Sequence, residues 1–328
     1  MSVPLYFAVA TLTFLGSPLW LVGAVAADVA AGAGRILPRT RALAFFGLYL
    51  GCELWGLAAA AAIWLGTLGG ALGGEERYLA ANTALQAAWA GLLLRGSMVI
   101  FSMRLEVEGQ SLAQPGGYLA LVRHSSTADT VLAAAVLARP GALRLRYVIK
   151  RELLWDPCLD VVGRRLPNAF IDRGAPQPGA ELEEVADLAR GLDDRSAVLI
   201  YPEGTRFTPA KRLRAVERLQ QAGEARADLA AIAAGFRAVL PPRLGGVMTL
   251  LDASPGSDLV LLEHTGFEGA GSFADFWGGA LIGQTIRVRL RRFPREAIPV
   301  QRRAIWLFER WAEMDDWICD TLAMEARA

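Results

Sequence analysis

The chain is poor in the residues that build disulfide scaffolds and metal sites. Its three cysteines, Cys52, Cys158 and Cys319, stand far apart. Such positions give no disulfide framework and no paired metal-ligand spacing. Histidine occurs twice, at His124 and His264, and lysine twice, at Lys150 and Lys211. Neither sign of charge is in excess: 34 Lys+Arg against 33 Asp+Glu leave a net charge of +1. General nucleic-acid binding needs a basic surplus, so nucleic acid is not an expected partner. There is no G-x-x-x-x-G-K-[ST], which disfavours nucleotide hydrolysis, and no G-x-S-x-G, which disfavours a serine hydrolase.

Apolar sequence is abundant. Hydrophobic residues make up 53% of the 328 and charged residues 20%. That is too apolar for a disordered chain and high for a soluble enzyme. Ser2 to Ala27 is 26 residues without a charge, and Leu54 to Leu72 is 19. The second run reaches back to Ala42 with Glu53 alone inside it. About 20 residues of helix cross a bilayer core of roughly 30 Å, so both runs read as membrane helices. A cleaved signal peptide is disfavoured for the first, because no basic residue precedes Arg35 and the run exceeds a signal h-region. Leu79 to Leu94 carries Asn82, Thr83 and Gln86 and reads as an interfacial or protein-packed segment, or as a third span. Gly47 and Gly51 have the spacing that lets helices approach closely.

From Arg104 the pattern changes, which divides the chain into a hydrophobic membrane-anchoring region, 1–103, and a second region, 104–328. Short β-prone runs lie at Tyr118–Val122, Arg146–Ile149, Ala169–Asp172, Ala197–Tyr201, Leu259–Glu263 and Ile286–Phe293. Helical patterns lie at Thr130–Leu137, Glu181–Leu192, Lys211–Gln221, Ala227–Ala234 and Ile305–Ile318. Strands alternating with helices predict an α/β fold, a mixed sheet flanked by helices. Trp306, Trp311 and Trp317 on the last helix are expected in the core.

His124 follows the first of these strands, in Arg123-His124-Ser125-Ser126-Thr127-Ala128-Asp129. Residues at strand ends project where α/β sites form. Ser125, Ser126 and Thr127 suit the N-cap of the next helix, which puts Asp129 in its first turn. Five residues of one helix turn about 500°, so His124 and Asp129 meet only if His124 stays in the loop. A carboxylate there would fix one imidazole tautomer. Tyr201-Pro202-Glu203-Gly204-Thr205-Arg206 follows another strand, with Pro202 ending it and Gly204 permitting a tight turn. Phe170-Ile171-Asp172-Arg173 and Leu240-Pro241-Pro242-Arg243 each carry an Arg able to grip an anion.

In this order, His–x4–Asp, F-I-D-R and P-E-G-T-R resemble the glycerolipid acyltransferase superfamily, the family of 1-acyl-glycerol-3-phosphate acyltransferases. Lys150-Arg151-Glu152-Leu153, the F-T-P-A-K after Arg206, Leu-Pro-Pro-Arg and Arg291-Arg292-Phe293-Pro294 resemble its lysophosphatidate and lysocardiolipin acyltransferase branch. The resemblance spans about Glu106 to Ile318. It implies that His124 is a general base, that Asp129 orients it, and that an acceptor hydroxyl attacks an acyl thioester without a covalent enzyme intermediate. It implies an acceptor site of Glu203, Gly204, Thr205 and Arg206, with Arg206, Arg173 and Lys150 as substrate-binding cations, and Pro242 and Arg243 on the acyl-donor side. Backbone N–H groups near His124 would stabilise the oxyanion. No metal or cofactor is implied; the donor is acyl-CoA or acyl carrier protein. Arg123 stands where the family often has Asn, and Tyr201 where Phe is common. His264 matches no family motif and reads as structural.

The implied partners are membrane lipids, a lysophospholipid acceptor and the thioester donor. Arg35, Arg39 and Arg41 put the loop between the first two runs in the cytoplasm by the positive-inside rule. Two full spans would leave the remaining chain outside; three spans, or a hairpin dipping into one leaflet, keep it cytoplasmic. A cytoplasmic thioester favours the latter, in a bacterial inner membrane. The alternatives are an acyltransferase acting on another lysophospholipid or an amino-lipid, and a non-catalytic lipid-binding membrane protein. Leu153, Leu154, Trp155, Val247, Met248, Leu250 and Leu251 are candidates to line an acyl groove.

Overall fold

The structure is a computed structural model and describes residues 2–126, 128–138, 143–172 and 178–327. Three long helices come first: α1 (Ser2–Ala30), α2 (Pro38–Thr67) and α3 (Glu75–Phe101). Then follow β1 (Arg104–Glu108), β2 (Tyr118–Val122), α4 (Ala128–Ala138), β3 (Arg144–Lys150), α5 (Pro157–Gly163) and β4 (Ala169–Ile171). The chain continues with α6 (Pro178–Ala189), β5 (Ser196–Ile200), α7 (Pro209–Gln221), α8 (Ala227–Ala234) and α9 (Leu244–Ala253). It closes with β6 (Asp258–Thr265), α10 (Phe273–Trp277), β7 (Thr285–Phe293) and α11 (Arg303–Glu325).

The strands form one mixed sheet in the order β1-β7-β6-β2-β5-β3-β4. Pairing is parallel throughout, except that β7 runs antiparallel to β6. The central strands are buried on both faces, which is why they read as unbroken apolar runs. Leu119 and Leu121 of β2 join a core with α6, α8, α9 and α11, whereas Tyr118, Ala120 and Val122 join a core with α3 and α4. Trp306 and Trp311 lie in the first core; Trp317 is half-buried, under the guanidinium of Arg289 at 4.7 Å. On β7, Ile286, Val288 and Leu290 point into the second core, as their alternation with arginines requires. The edge strand β1 escapes a hydrophobicity reading because its sequence, RLEVE, leaves every second residue in solvent.

α1, α2 and α3 are each long and apolar enough to cross a membrane, and the chain is an integral membrane protein. The second apolar run is one helix from Pro38, longer than the charge-free stretch alone. Glu53 does not interrupt it, because Glu53 is turned to the α/β domain and accepts the N–H of Cys158 at 3.0 Å. Beside it Tyr49 donates to Asp156 Oδ2 at 2.6 Å, and Arg165 donates to the Ala60 carbonyl at 2.9 Å. The Leu79–Leu94 segment is part of α3, which extends past it at both ends and packs on α4. Phe45, Phe101 and Phe276 join the helices to α10, with ring centroids 5.3–5.8 Å apart. Burying a side chain such as Phe101 contributes roughly 1.5–3 kcal/mol, so α2 and α3 are bound to the domain by much more than their lipid-facing sides.

Close helix approach runs through glycines other than the expected pair. A Cβ on Gly47 would meet nothing within 4 Å, and one on Gly51 only Phe14 at 3.8 Å. At Gly56 it would meet Cys158 Sγ at 2.6 Å and Trp89 at 3.2 Å, and at Gly96 it would collide with Leu48. The α1–α2 connection is held by Asp28, whose carboxylate accepts the backbone N–H groups of Arg39 and Thr40 at 3.2 and 3.0 Å. It thereby caps the start of α2 from the preceding helix.

Candidate active site

Parallel pairing brings the C-terminal ends of β2, β5 and β6 to one edge of the sheet, with Leu121 opposite Ile200 and Val122 opposite Leu262. The chain therefore delivers Arg123-His124, Tyr201-to-Arg206 and His264 to the same place. Strand ends of such sheets are where ligands bind, because the loops there diverge and leave a crevice.

His124 lies in the loop, and α4 starts at Ala128, so Asp129 occupies its first turn. The imidazole Nδ1 is 3.0 Å from Asp129 Oδ1 and 3.3 Å from Oδ2. Oδ2 also accepts the N–H groups of Ser125 at 2.7 Å and Ser126 at 2.8 Å. Asp129 is fully buried, yet its charge is met by three N–H donors and by the positive end of α4. An accepting carboxylate makes Nδ1 the donor and leaves Nε2 free to take a proton. The His124 side chain is 18% exposed, enough for a substrate to touch it.

Glu203 holds the loops rather than the open edge. It is buried, and its two oxygens accept the N–H of His124 at 2.9 Å and of Leu240 at 3.0 Å. Burial pushes its carboxyl up to about 8, against the pull of those two N–H groups and of Arg123. The His124 carbonyl accepts the Phe207 N–H at 2.9 Å, so the histidine is gripped on both sides. Gly204 turns the chain with φ +72°. Thr205 Oγ1 and the Arg206 carbonyl accept from Lys211 Nζ at 3.0 and 3.1 Å. The N–H groups of His124, Ser125 and Ser126 are all engaged by Glu203 and Asp129. None of the three is therefore open to the oxyanion role expected of backbone near His124.

A cavity of about 1000 Å³ opens at this edge, with His124 on its wall. Lys150, Arg206 and Arg243 line its polar part. Arg206 and Arg243 are exposed, and Arg243 is fixed through its N–H to the Pro202 carbonyl at 2.9 Å, next to the buried Pro242. Lys150 lies 3.9 Å from Glu152. Glu152, Asp156 and Glu181 also line it, and most of the remaining lining is apolar and comes largely from α2, α3 and α4, through Phe45, Trp89, Leu93, Val131 and Ala134. Of the expected groove residues, Leu153 and Trp155 line the cavity, whereas Val247, Leu250 and Leu251 are core. Arg173 lies outside the described residues. Among the described residues, no three His, Cys, Asp or Glu side chains converge to hold a metal ion.

Residues 104–253 match the family model described as Acyltransferase, and the match contains the dyad and the Tyr201–Arg206 turn. Over this stretch, a little under half of the chain, the sequence is similar to the acyltransferase family. Mouse lysocardiolipin acyltransferase 1 is 20% identical to it over 242 residues, 72% of this chain and 62% of that protein. The chain thus spans less than two thirds of that curated relative. Its fold is similar to the crystal structure of the 1-acyl-sn-glycerophosphate (LPA) acyltransferase PlsC from Thermotoga maritima. The TM-score is 0.57 at 13% identity, covering 83% of this chain and 91% of the other.

Around the superfamily motifs lie residues whose roles pattern reading did not supply. Arg123 is 1% exposed and ion-paired with Glu268. Lys211 joins the Thr205–Arg206 turn from α7. The Tyr201 ring packs on the His124 imidazole. Arg123 and Tyr201 were visible as departures from the motifs; Glu268 had no sequence signal, since its partner is 145 residues away.

Proposed function

We propose that this chain is a membrane-bound O-acyltransferase. It moves a fatty acyl group from a thioester, acyl-CoA or acyl carrier protein, to the free hydroxyl of a lysophospholipid, most simply 1-acyl-glycerol-3-phosphate. The observation that carries this reading is the His124–Asp129 dyad on the wall of an apolar cavity rimmed by Lys150, Arg206 and Arg243. The cavity suits an acyl chain, and the cations suit phosphate.

In the reaction, the acceptor hydroxyl gives its proton to His124 Nε2 as its oxygen attacks the thioester carbon. The C–O bond forms, the C–S bond breaks, and the thiolate leaves with the proton that His124 carries. The products are a diacyl lipid and a free thiol. Asp129 stabilises the imidazolium formed on the way. General-base catalysis of this kind contributes about 10²–10⁴-fold. Arg206 and Lys150 hold the acceptor phosphate, joined by Arg173. Glu203 positions the loop that carries His124, and Gly204 and Thr205 shape the turn that presents Arg206. Pro242 and Arg243 border the donor side.

The α/β domain faces the cytoplasm in this reading, at a bacterial inner membrane. Supporting it, Arg41 Nη1 donates to Ser102 Oγ at 2.9 Å, so the arginine-bearing α1–α2 connection lies at the end of α3 where the domain begins. The positive-inside rule assigns that end to the cytoplasm.

The test is acyl transfer by the detergent-solubilised protein, with labelled acyl-CoA or acyl carrier protein and a panel of lysophospholipid acceptors. One acceptor should give product that is lost in His124→Ala at an unchanged melting temperature. Product with a different headgroup would move the acceptor assignment. Lipid binding without turnover from either donor would sink the reading in favour of a non-catalytic lipid-binding protein.

A further inference from the structure

Behind the dyad, Arg123 and His264 are locked to each other. His264 Nε2 is 3.1 Å from the Arg123 carbonyl oxygen. A carbonyl only accepts, so Nε2 carries the hydrogen. In return the Arg123 guanidinium donates to the His264 carbonyl and to Glu268, and its Nη2 donates to the Ala238 carbonyl at 3.0 Å. Glu268 is fixed in turn by the Gly266 N–H at 2.7 Å. The same His264 Nε2 lies 3.7 Å from Asp129 Oδ2. His264 and Asp129 are fully buried, and Arg123 is nearly so.

We propose that His264 is a positioning residue for the His124–Asp129 dyad. As a neutral Nε2–H imidazole it holds the peptide from which His124 hangs, and it turns the positive end of an N–H dipole toward Asp129. The Arg123 carbonyl belongs to the peptide directly before His124, whose own N–H is held by Glu203. Two carbonyl and amide anchors on one peptide leave the imidazole little freedom to drift from Asp129. Preorganisation of this kind acts on the chemical step more than on binding.

The neutral form follows from the surroundings. His264 Nδ1 is buried with no hydrogen-bond partner among the described residues, and the Phe267 ring stands edge-on 5.7 Å away. A proton on Nδ1 would put a second cation beside Arg123 with nothing to accept it. Burial, with Arg123, holds this imidazole below the ordinary histidine range against the opposing pull of Asp129 and Glu268. The charged groups acting on it thus come from the end of β2, from α4 and from the turn after β6. A protonated His264 would compete with His124 for Asp129, so neutrality keeps the carboxylate for the dyad.

The inference rests on the acyl-transfer reading only for its kinetic arm. Two histidines in the chain make a spectroscopic arm independent of turnover. Nitrogen-15 histidine spectra of the full chain in lipid nanodiscs should show His264 as a neutral Nε2–H tautomer at about pH 6, where an unperturbed histidine is largely protonated. The downfield proton of the His124–Asp129 hydrogen bond should broaden or vanish in His264→Leu and persist in His264→Gln, whose amide N–H reaches the same carbonyl. Kinetically, His264→Leu should lose about tenfold or more in kcat, the scale on which orienting groups act. Both KM values should be unchanged, and His264→Gln should keep most of the rate. An imidazolium or an Nδ1–H tautomer at His264 overturns the proposal. So does a dyad proton signal untouched in His264→Leu, or equal losses in both variants. If the wild-type protein transfers no acyl group, the proposed function fails while the spectra still decide the role of His264.

Discussion

The ring of Tyr201 lies 4.9 Å, centroid to centroid, from the imidazole of His124, and its hydroxyl donates to the Asp129 carbonyl at 3.3 Å. One residue from the end of β5 thus supports both members of a dyad built from β2 and α4. Tyr201→Phe keeps the ring and loses one long hydrogen bond, so kcat should stay within about threefold, a loss below ~1 kcal/mol. Tyr201→Ala removes the support; because the half-buried ring borders the cavity, the stability loss should stay below the roughly 3–5 kcal/mol of a fully buried aromatic, while kcat falls further than in Tyr201→Phe. Saturated rates and thermal midpoints of both variants, read together, check this.

Asp129→Asn should be worse for catalysis than for folding. The amide oxygen still accepts from Ser125 and Ser126, but the amide NH₂ then faces His124 Nδ1 and favours the wrong tautomer. A fall in kcat of about 10³–10⁴-fold is expected, with little change in KM. Activity near wild type would remove Asp129 from the mechanism.

Glu203 should leave a pH signature. Its carboxyl is raised to about 8 from an ordinary 4.5. Folding therefore favours the protonated form, and that contribution is complete below the unfolded value. It is lost as pH rises through about 8. Across this window the wild-type melting temperature should fall with rising pH relative to Glu203→Gln. At low pH the variant should be the less stable of the two, since its amide NH₂ would face one of the two N–H groups that the carboxyl oxygens accept, and the gap should narrow as pH rises through about 8. Parallel melting curves against pH for the two proteins would contradict the assignment.

Gly56→Val tests whether α2 is structurally part of the domain. The added carbon would push on Cys158 Sγ and Trp89. Overpacking of this sort costs typically about 1–3 kcal/mol. A lower melting temperature is expected, and an unchanged one would mean that α2 moves freely on α5.

The apolar cavity predicts a chain-length effect. Ala134 of α4 is buried on its wall. Ala134→Phe should shorten the preferred acyl chain, because each methylene excluded from the cavity forfeits about 0.8 kcal/mol. A series of acyl-CoA donors measured against wild type and variant would show the preference shift, or exclude this wall as the acyl site.

Much of this was legible in the chain itself. The both-faces-buried strands β2, β5 and β6 announce themselves as short apolar runs, and β7 by its apolar–arginine alternation, since local burial writes a local pattern. The loop position of His124 and the helical position of Asp129 follow from the run of capping residues between them. The length and hydrophobicity of α1 and α2 follow from the absence of charge. The edge strand β1 and the short helix α5 were not legible, because a half-exposed strand and a helix of about two turns carry too little periodicity.

What the sequence determined alone is the inventory: which elements form, and which few polar residues end them. Tertiary structure decided the partners. Glu53 looks like an interruption in a membrane run until α5 supplies the Cys158 N–H. Glu203 looks like part of an open turn until the ends of β2 and β5 meet and close its oxygens on two loops. His264 looks like a lone core histidine until β6 pairs with β2 and sets it against Arg123 and Asp129. Each of these contacts spans from 37 to 141 residues of chain. Hydrogen bonds and buried charges over such separations leave no periodic trace in sequence, because only strand register and helix packing determine which groups lose water together.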